Sequence, residues 1–285
     1  YLPGMFYSKN MIKDQFWWWW VIHLWVEGSW EVIAGALLAF MLMKTIGAKR
    51  EVLEKWMYIE VGLVLFTGIL GTGHHYYFIG TPKYWHWIGG FFSSLEPVPL
   101  LLMVWDAFRT TREARNVTNK PGLFYTVAHA IFNFVGAGLW GIIHTLPQVN
   151  QWTHGTQITT AHGHLAFYGA YVLLVISMIY VTLPSIRGVK DYNPARAYLA
   201  FWWMTVSMVF IVLTITGAGM VQVYMERLMG LDYVAVKTTY NLWFWILRAI
   251  FGVGFLIGVA IFVYDFFKLG REPLTALQAA EQKAA

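Results

Sequence analysis

Cysteine is absent from all 285 residues. That excludes disulfides, iron–sulfur clusters and any thiolate-held or thioether-linked cofactor. A metal, if there is one, must be held by His, Glu, Asp or Met. Charge is also scarce: 12% of residues are Asp, Glu, Lys or Arg, where a soluble domain carries about 25%. The chain has no basic start followed by a short apolar core, so it lacks the layout of a signal peptide. Opening as it does on Tyr1, it reads as the C-terminal portion of something longer. There is no internal repeat, no low-complexity tract beyond an Ala-rich tail, and no stretch resembling a soluble domain. What fills the chain is apolar: 58% hydrophobic residues, with 16 Trp and 20 Phe. The composition is that of an integral membrane protein.

A helix needs roughly 20 apolar residues to cross a bilayer. Seven runs reach that length, at about 16–43, 56–79, 85–108, 122–146, 156–184, 197–225 and 241–267. They predict an all-α bundle making up one membrane domain over 1–285, with an exposed tail at 270–285. Polar and proline clusters such as "TPK" (81–83), "TNKPG" (118–122) and "DYNP" (191–194) separate the runs. Basic residues orient them. The first, third and fifth loops and the tail hold 14 Lys and Arg, the opposite side holds five, and Arg248 lies within the last run. The positive-inside rule then puts the C-terminus in the cytoplasm and residues 1–15 outside. Membrane insertion accounts for the net charge of +5, so a nucleic-acid partner has little to rest on.

Against this background the stretch "HLWVEGSWE" (23–31) stands out. Ionisable groups inside a span are costly and read as functional by default. His23 lies seven residues below the outer surface, about 10 Å at 1.5 Å per residue. His74 and His75 fall near the outer end of the second run, and His162 and His164 near that of the fifth. Three helices thus bring five histidines to one outer layer. His23 and Glu27, at i and i+4, share a helical face, and His74 and His75 can converge beside their helix. Three imidazoles and a carboxylate suit iron or another borderline first-row metal. His162 and His164 are about 200° apart on a helix and point to opposite sides, where each could be an axial ligand to a separate haem. Gly163 between them leaves room for a large planar ring. A lone histidine inside a span is more often a packing residue, which is the reading for His86 and His129. His144 and His154, near the outer surface, suit contacts to haem propionates or water. "WWWW" (17–20) falls where an interfacial aromatic belt belongs. Asp106 and Arg109 read as an interfacial pair.

"HLWVEG", "GTGHHYYFIGTP", "FFSSLEPVP", "HTLPQVNQWTHGTQ" and "AHGHLAFYGAY" resemble, in order and approximate spacing, the haem–copper oxidase superfamily. Within it, they resemble the catalytic subunits of bacterial nitric oxide reductases. The resemblance covers nearly the whole chain and implies a bundle of that type, the seven helices here being part of about twelve. It implies that His23, His74, His75 and Glu27 ligate a non-haem iron, that His162 is the proximal ligand of high-spin haem b3, and that His164 is one ligand of low-spin haem b. No candidate for the second ligand of haem b is present, and a calcium ion expected between haem propionates would draw its ligands from outside this chain. Oxygen-reducing members typically carry a tyrosine four residues after the first metal histidine. Here that residue is Glu27, a hard oxygen donor that favours iron over copper.

The resemblance implies reduction of two NO to N2O and water in a bacterial inner membrane, with the site towards the periplasm. The electron donor would be a membrane-anchored cytochrome c subunit or quinol. Glu31 and Glu96 are the acids at a depth suited to carrying protons. Pro97 and Pro99 after Glu96 interrupt helical hydrogen bonding and leave room for water, and Ser93 and Thr145 are candidate hydroxyl relays. For Glu31 the bland alternative is a hydrogen bond that merely positions Glu27. Both acids lie near the outer-side site, which predicts proton uptake from outside and no pumping. Two other readings stay open: an oxygen-reducing terminal oxidase, and a non-catalytic di-haem electron carrier or proton-relay transporter. A nitric oxide dismutase is disfavoured by the ligand set.

Overall fold

The computed structural model describes residues 1–111, 119–187 and 193–269, and among these every regular element is helical. Seven helices are long and apolar enough to span a membrane: α1 (Met11–Ile46), α2 (Arg50–His75), α3 (Tyr84–Thr110), α4 (Lys120–Thr145), α5 (Gln157–Ile186), α6 (Pro194–Leu228) and α7 (Leu242–Lys268). Most run a few residues past the expected apolar stretches, because helical hydrogen bonding continues where the sequence turns polar. Starts are set by capping. The Asn10, Asn119 and Asn193 side chains accept from the backbone N–H of Lys13, Gly122 and Arg196. Pro121 and Pro194 sit in the first turn of α4 and α6, where a missing N–H costs nothing. The helix ending at Ile46 stops on Gly47 at φ 67°, the left-handed conformation glycine tolerates. Arg112, Arg115, Lys190, Arg271, Lys283 and the expected tail at 270–285 lie outside the described residues.

The largest core cluster joins α4, α5 and α6 around Tyr125, Tyr168, Tyr180, Phe201, Met204 and Ile215. A second, towards the ends of α1, α2 and α3 away from His23 and His74, holds Leu38, Leu42, Leu53, Leu100 and Met103. α7 packs along α6 and is otherwise largely exposed. The C-terminal parts of α5 and α7 and the start of α6 are tied by fully buried Asp265, whose carboxylate accepts from Arg196 Nε (2.7 Å) and from the Tyr180 hydroxyl (2.7 Å). Asp106 has a different partner from the one expected: its carboxylate accepts from Lys55 Nζ at 3.0 Å and Trp56 Nε1 at 2.9 Å, both on α2. Arg109 is a neighbour in sequence, but packing of α2 against α3 brings Lys55 closer.

Four spans depart from regular winding where it matters. α1 widens into a π-helical turn over Leu24–Trp30, α4 does so over Phe134–Leu139 and α5 over Tyr168–Val172, and α2 tightens into a 3-10 turn over Gly71–His75. Such irregular turns tend to mark functional sites. All four border one cleft.

Candidate metal centre

The 3-10 turn closing α2 is what aims both of its histidines the same way. Gly73 in that turn lies so close to α3 that a Cβ on it would collide with the Trp85 carbonyl, and a Cβ on Gly89 of α3 would collide with the backbone of Gly73 and His74. Small residues let membrane helices approach in this way, and here they fix the position of His74. Across from it, α1 presents His23 and Glu27 from the start of its π turn. The four side chains converge: one nitrogen from each of His23, His74 and His75 and one oxygen of Glu27 lie within 4.8 Å of one another.

Two of the four separations match ligands around a common ion, and the other two lie a few tenths of an ångström outside the range such ligands span. Glu27 Oε1 is 3.4 Å from His23 Nδ1, 3.3 Å from His74 Nε2 and 3.8 Å from His75 Nε2. The two Nε2 atoms are 2.8 Å apart. Donors about 2.1 Å from one metal stand about 3.0–3.4 Å from one another in octahedral or tetrahedral arrangements. Neither ring nitrogen of His23, which is wholly buried, has a hydrogen-bond partner, and neither does His74 Nδ1. Buried polar atoms are normally satisfied. A cation held by this set would satisfy a nitrogen of His23 and bind the other donors. The carboxylate is braced from behind: the Ser93 hydroxyl donates to Glu27 Oε2 at 2.7 Å and lies 3.2 Å from Glu96 Oε2. Trp19 stacks on His75 at 4.8 Å between centroids and 3° between planes, so one member of "WWWW" belongs to the site as well as to a belt.

Beside this cluster lies a mostly apolar cleft of about 560 Å³, bordered by Glu27, His74, His75, His144 and His162 and by Gly163. His162 enters from α5, oriented by its Nδ1, which donates to Gly136 O at 3.0 Å. That bond leaves Nε2 as the nitrogen available to a ligand. Gly163 has nothing within 4 Å of where a Cβ would sit, so the cleft wall is open there. The size, the apolar lining and the oriented imidazole fit a planar prosthetic group. His164 Nδ1 donates to Thr160 O at 2.8 Å, and the residue is not part of the cleft wall. The two histidines do face different ways.

Other expected residues divide. Glu31 and Glu96 both border the cleft. The expected alternative for Glu31, a hydrogen bond to Glu27, is replaced by a neighbour the sequence reading does not single out, Glu60 of α2. At Glu96 the helix is broken as its prolines require: Glu96 and Val98 N–H groups turn back only three residues, to Ser93 and Leu95. The Thr145 hydroxyl borders the cleft but donates to Ile142 O at 2.8 Å on its own helix, so it does not join the carboxylates. His129 Nδ1 donates to Gly169 O (2.7 Å) and His86 Nε2 to Tyr76 O (3.0 Å), in keeping with packing roles. His144 contacts the Thr159 hydroxyl at 2.9 Å. In the segment between α4 and α5, burial and then the Arg227 cation hold the His154 imidazole below its ordinary value of 6.5. Burial pushes the Tyr77 phenol up to about 12, so it stays a donor, to Thr145 O at 2.9 Å.

Comparison with known proteins bears on this arrangement. Residues 2–262 match the family model described as "Cytochrome C and Quinol oxidase polypeptide I". The chain is 44% identical over 289 residues to a nitric oxide reductase subunit of Stutzerimonas stutzeri, a match taking in 98% of this chain and 61% of that protein. The chain therefore spans less than two thirds of that relative's length. A heme-copper terminal oxidase dimer solved by cryo-EM superposes with a TM-score of 0.62 at 17% identity, over 78% of this chain and 43% of that one. That likeness is one of fold.

Proposed function

The chain belongs to the family of cytochrome c and quinol oxidase polypeptide I, and on that footing we propose that it forms the catalytic part of a nitric oxide reductase. The observation that carries the proposal is the Glu27 oxygen set among three imidazoles. A hard oxygen donor with histidine nitrogens favours iron over copper, and the Stutzerimonas stutzeri nitric oxide reductase subunit is similar over nearly the whole chain. In this reading His23, His74, His75 and Glu27 hold a non-haem iron. His162 would hold a high-spin haem b3, and His164 a low-spin haem b. Bound there, the iron pair would supply the electrons and Lewis acidity for 2 NO + 2 e⁻ + 2 H⁺ → N2O + H2O.

The chain's own residues do the rest. Ser93 fixes the carboxylate of Glu27 in its ligating direction. The apolar cleft wall excludes bulk water from the reacting gas. Glu96, hydrogen-bonded within reach of Ser93, and Glu31 deliver protons from the outer side. An electron donor, a membrane-anchored cytochrome c subunit or quinol, would supply the electrons from outside this chain, and a calcium ion would draw its ligands from outside it. The site faces the periplasm and the C-terminus the cytoplasm, following the distribution of basic residues.

The test is anaerobic NO consumption by the purified complex, with Glu27→Ala alongside. The parent consumes NO and yields N2O; the variant loses activity and non-haem iron but keeps haem. The family and the fold likeness favour one rival, an oxygen-reducing oxidase. Copper equimolar with haem in the parent would establish that rival instead.

A further inference from the structure

Glu60 lies ten residues into α2, is 0% exposed, and has no part in the ligand set or the cleft wall. Among the described residues no N–H or hydroxyl donor reaches either of its carboxyl oxygens. The titratable group that bears on it is Glu31 of α1, whose carboxyl is within hydrogen-bond reach; no lysine, arginine or histidine from the described parts of α1 or α3 balances it. Glu31 in turn feels Glu60 and Glu27. Two carboxylates cannot hydrogen-bond, since neither has a hydrogen to donate. A pair of unbalanced charges in a membrane interior would also cost several kcal/mol. The contact therefore requires at least one proton in the pair, as when two acids share a site.

What lies below Glu60 is equally informative. Gly35 of α1 packs against Leu100 and Met57, and the layer continues through Leu38, Leu42, Leu53 and Met103. Beyond this layer Lys55 and Asp106 are paired with each other, and the buried Thr45 hydroxyl is taken up by Met41 O of its own helix. Glu60 is thus the blind end of a run of carboxyls that passes through Glu31 to the cleft, where Ser93 links Glu96 to Glu27.

We propose that Glu60 is a positioning residue for Glu31, keeping one proton shared between the two carboxyls whenever Glu31 gives one up to the cleft. Each transfer moves one proton and no electrons. It leaves the pair with one proton and one negative charge spread over two groups, and a proton arriving from the outer side through Glu31 restores it. The apolar layer prevents refilling from inside. This rests on reading the cleft as a proton-consuming site.

The test uses the intact complex with Glu60→Gln, Glu60→Asp and Glu31→Gln. Glutamine can still donate to Glu31 but cannot exchange a proton. The infrared difference spectrum on reduction is expected to show a protonated-carboxyl C=O band that moves in D2O, vanishes in Glu60→Gln and shifts in Glu31→Gln. Glu60→Gln should lower NO turnover at least about tenfold with parental iron and haem content, and Glu60→Asp should recover most of it. A band untouched by Glu60→Gln, turnover within twofold of the parent, or loss of iron along with activity would each overturn the proposal. If the parent complex consumes no NO, the functional reading fails separately, and the infrared band alone still decides whether Glu60 shares a proton with Glu31.

Discussion

Ser93→Ala isolates the contribution of a single hydrogen bond to the metal centre. The Ser93 hydroxyl has one proton, and at 2.7 Å from Glu27 Oε2 against 3.2 Å from Glu96 Oε2 it serves Glu27 first. A hydrogen bond to a charged group contributes about 1.5–3 kcal/mol. At about 1.36 kcal/mol per decade, its loss should weaken iron binding by roughly one to two decades. Variants of groups that brace metal ligands fall in the same range, about 10–100-fold. The assay titrates a chelator against detergent-solubilised parent and variant and measures the non-haem iron retained. Ser93→Thr, which keeps a hydroxyl, should stay near the parent. So should Ser94→Ala, because the Ser94 hydroxyl donates to Phe91 O on the exposed side. Iron retained by Ser93→Ala at parental chelator concentrations, within about twofold, would refute the idea that this bond holds Glu27 in ligating position.

Two further outcomes follow from other parts of the molecule. Asp265→Ala removes the acceptor of both Arg196 and Tyr180 and should cost about 3 kcal/mol, the low end for a broken buried pair because Arg196 is 22% exposed; a thermal midpoint in detergent unchanged from the parent would contradict it. In sealed vesicles, turnover with an outer-side electron donor should build no membrane potential, since the apolar layer under Glu60 blocks protons from the inside; a robust potential would show that an inward route exists.

Much of this is legible in the chain. Apolar run length gives seven spans because hydrocarbon demands it, and three helices sharing a histidine-bearing depth already point to a common centre. Glu27, four residues from His23, needs only helical periodicity to be placed with it. What escapes depends on which helices are neighbours. Glu60 follows Glu51, Glu54 and Lys55 and so reads as the polar end of a span; only the packing of α1 on α2 sets it opposite Glu31. Trp19 is indistinguishable in sequence from Trp17, Trp18 and Trp20, and its ring contact with His75 is a fact of tertiary structure. Proximity along the chain pairs Asp106 with Arg109, where proximity across helices decides for Lys55. Thr145 lies at the expected depth, yet its hydroxyl is taken up by its own backbone.

The widened turn at Leu24–Trp30 has a consequence for how fragile such a centre is to changes in length. Removing one residue from Gly28–Trp30 would restore ordinary winding, with hydropathy hardly altered and all seven crossings intact. The flanks would keep their directions, because a π turn absorbs its extra residue locally, but the side chains inside the turn would not. Glu27, which lies inside the turn, would be re-aimed relative to His23 and His74. The chemistry of this chain is thus tied to a tally of residues as firmly as to their identities.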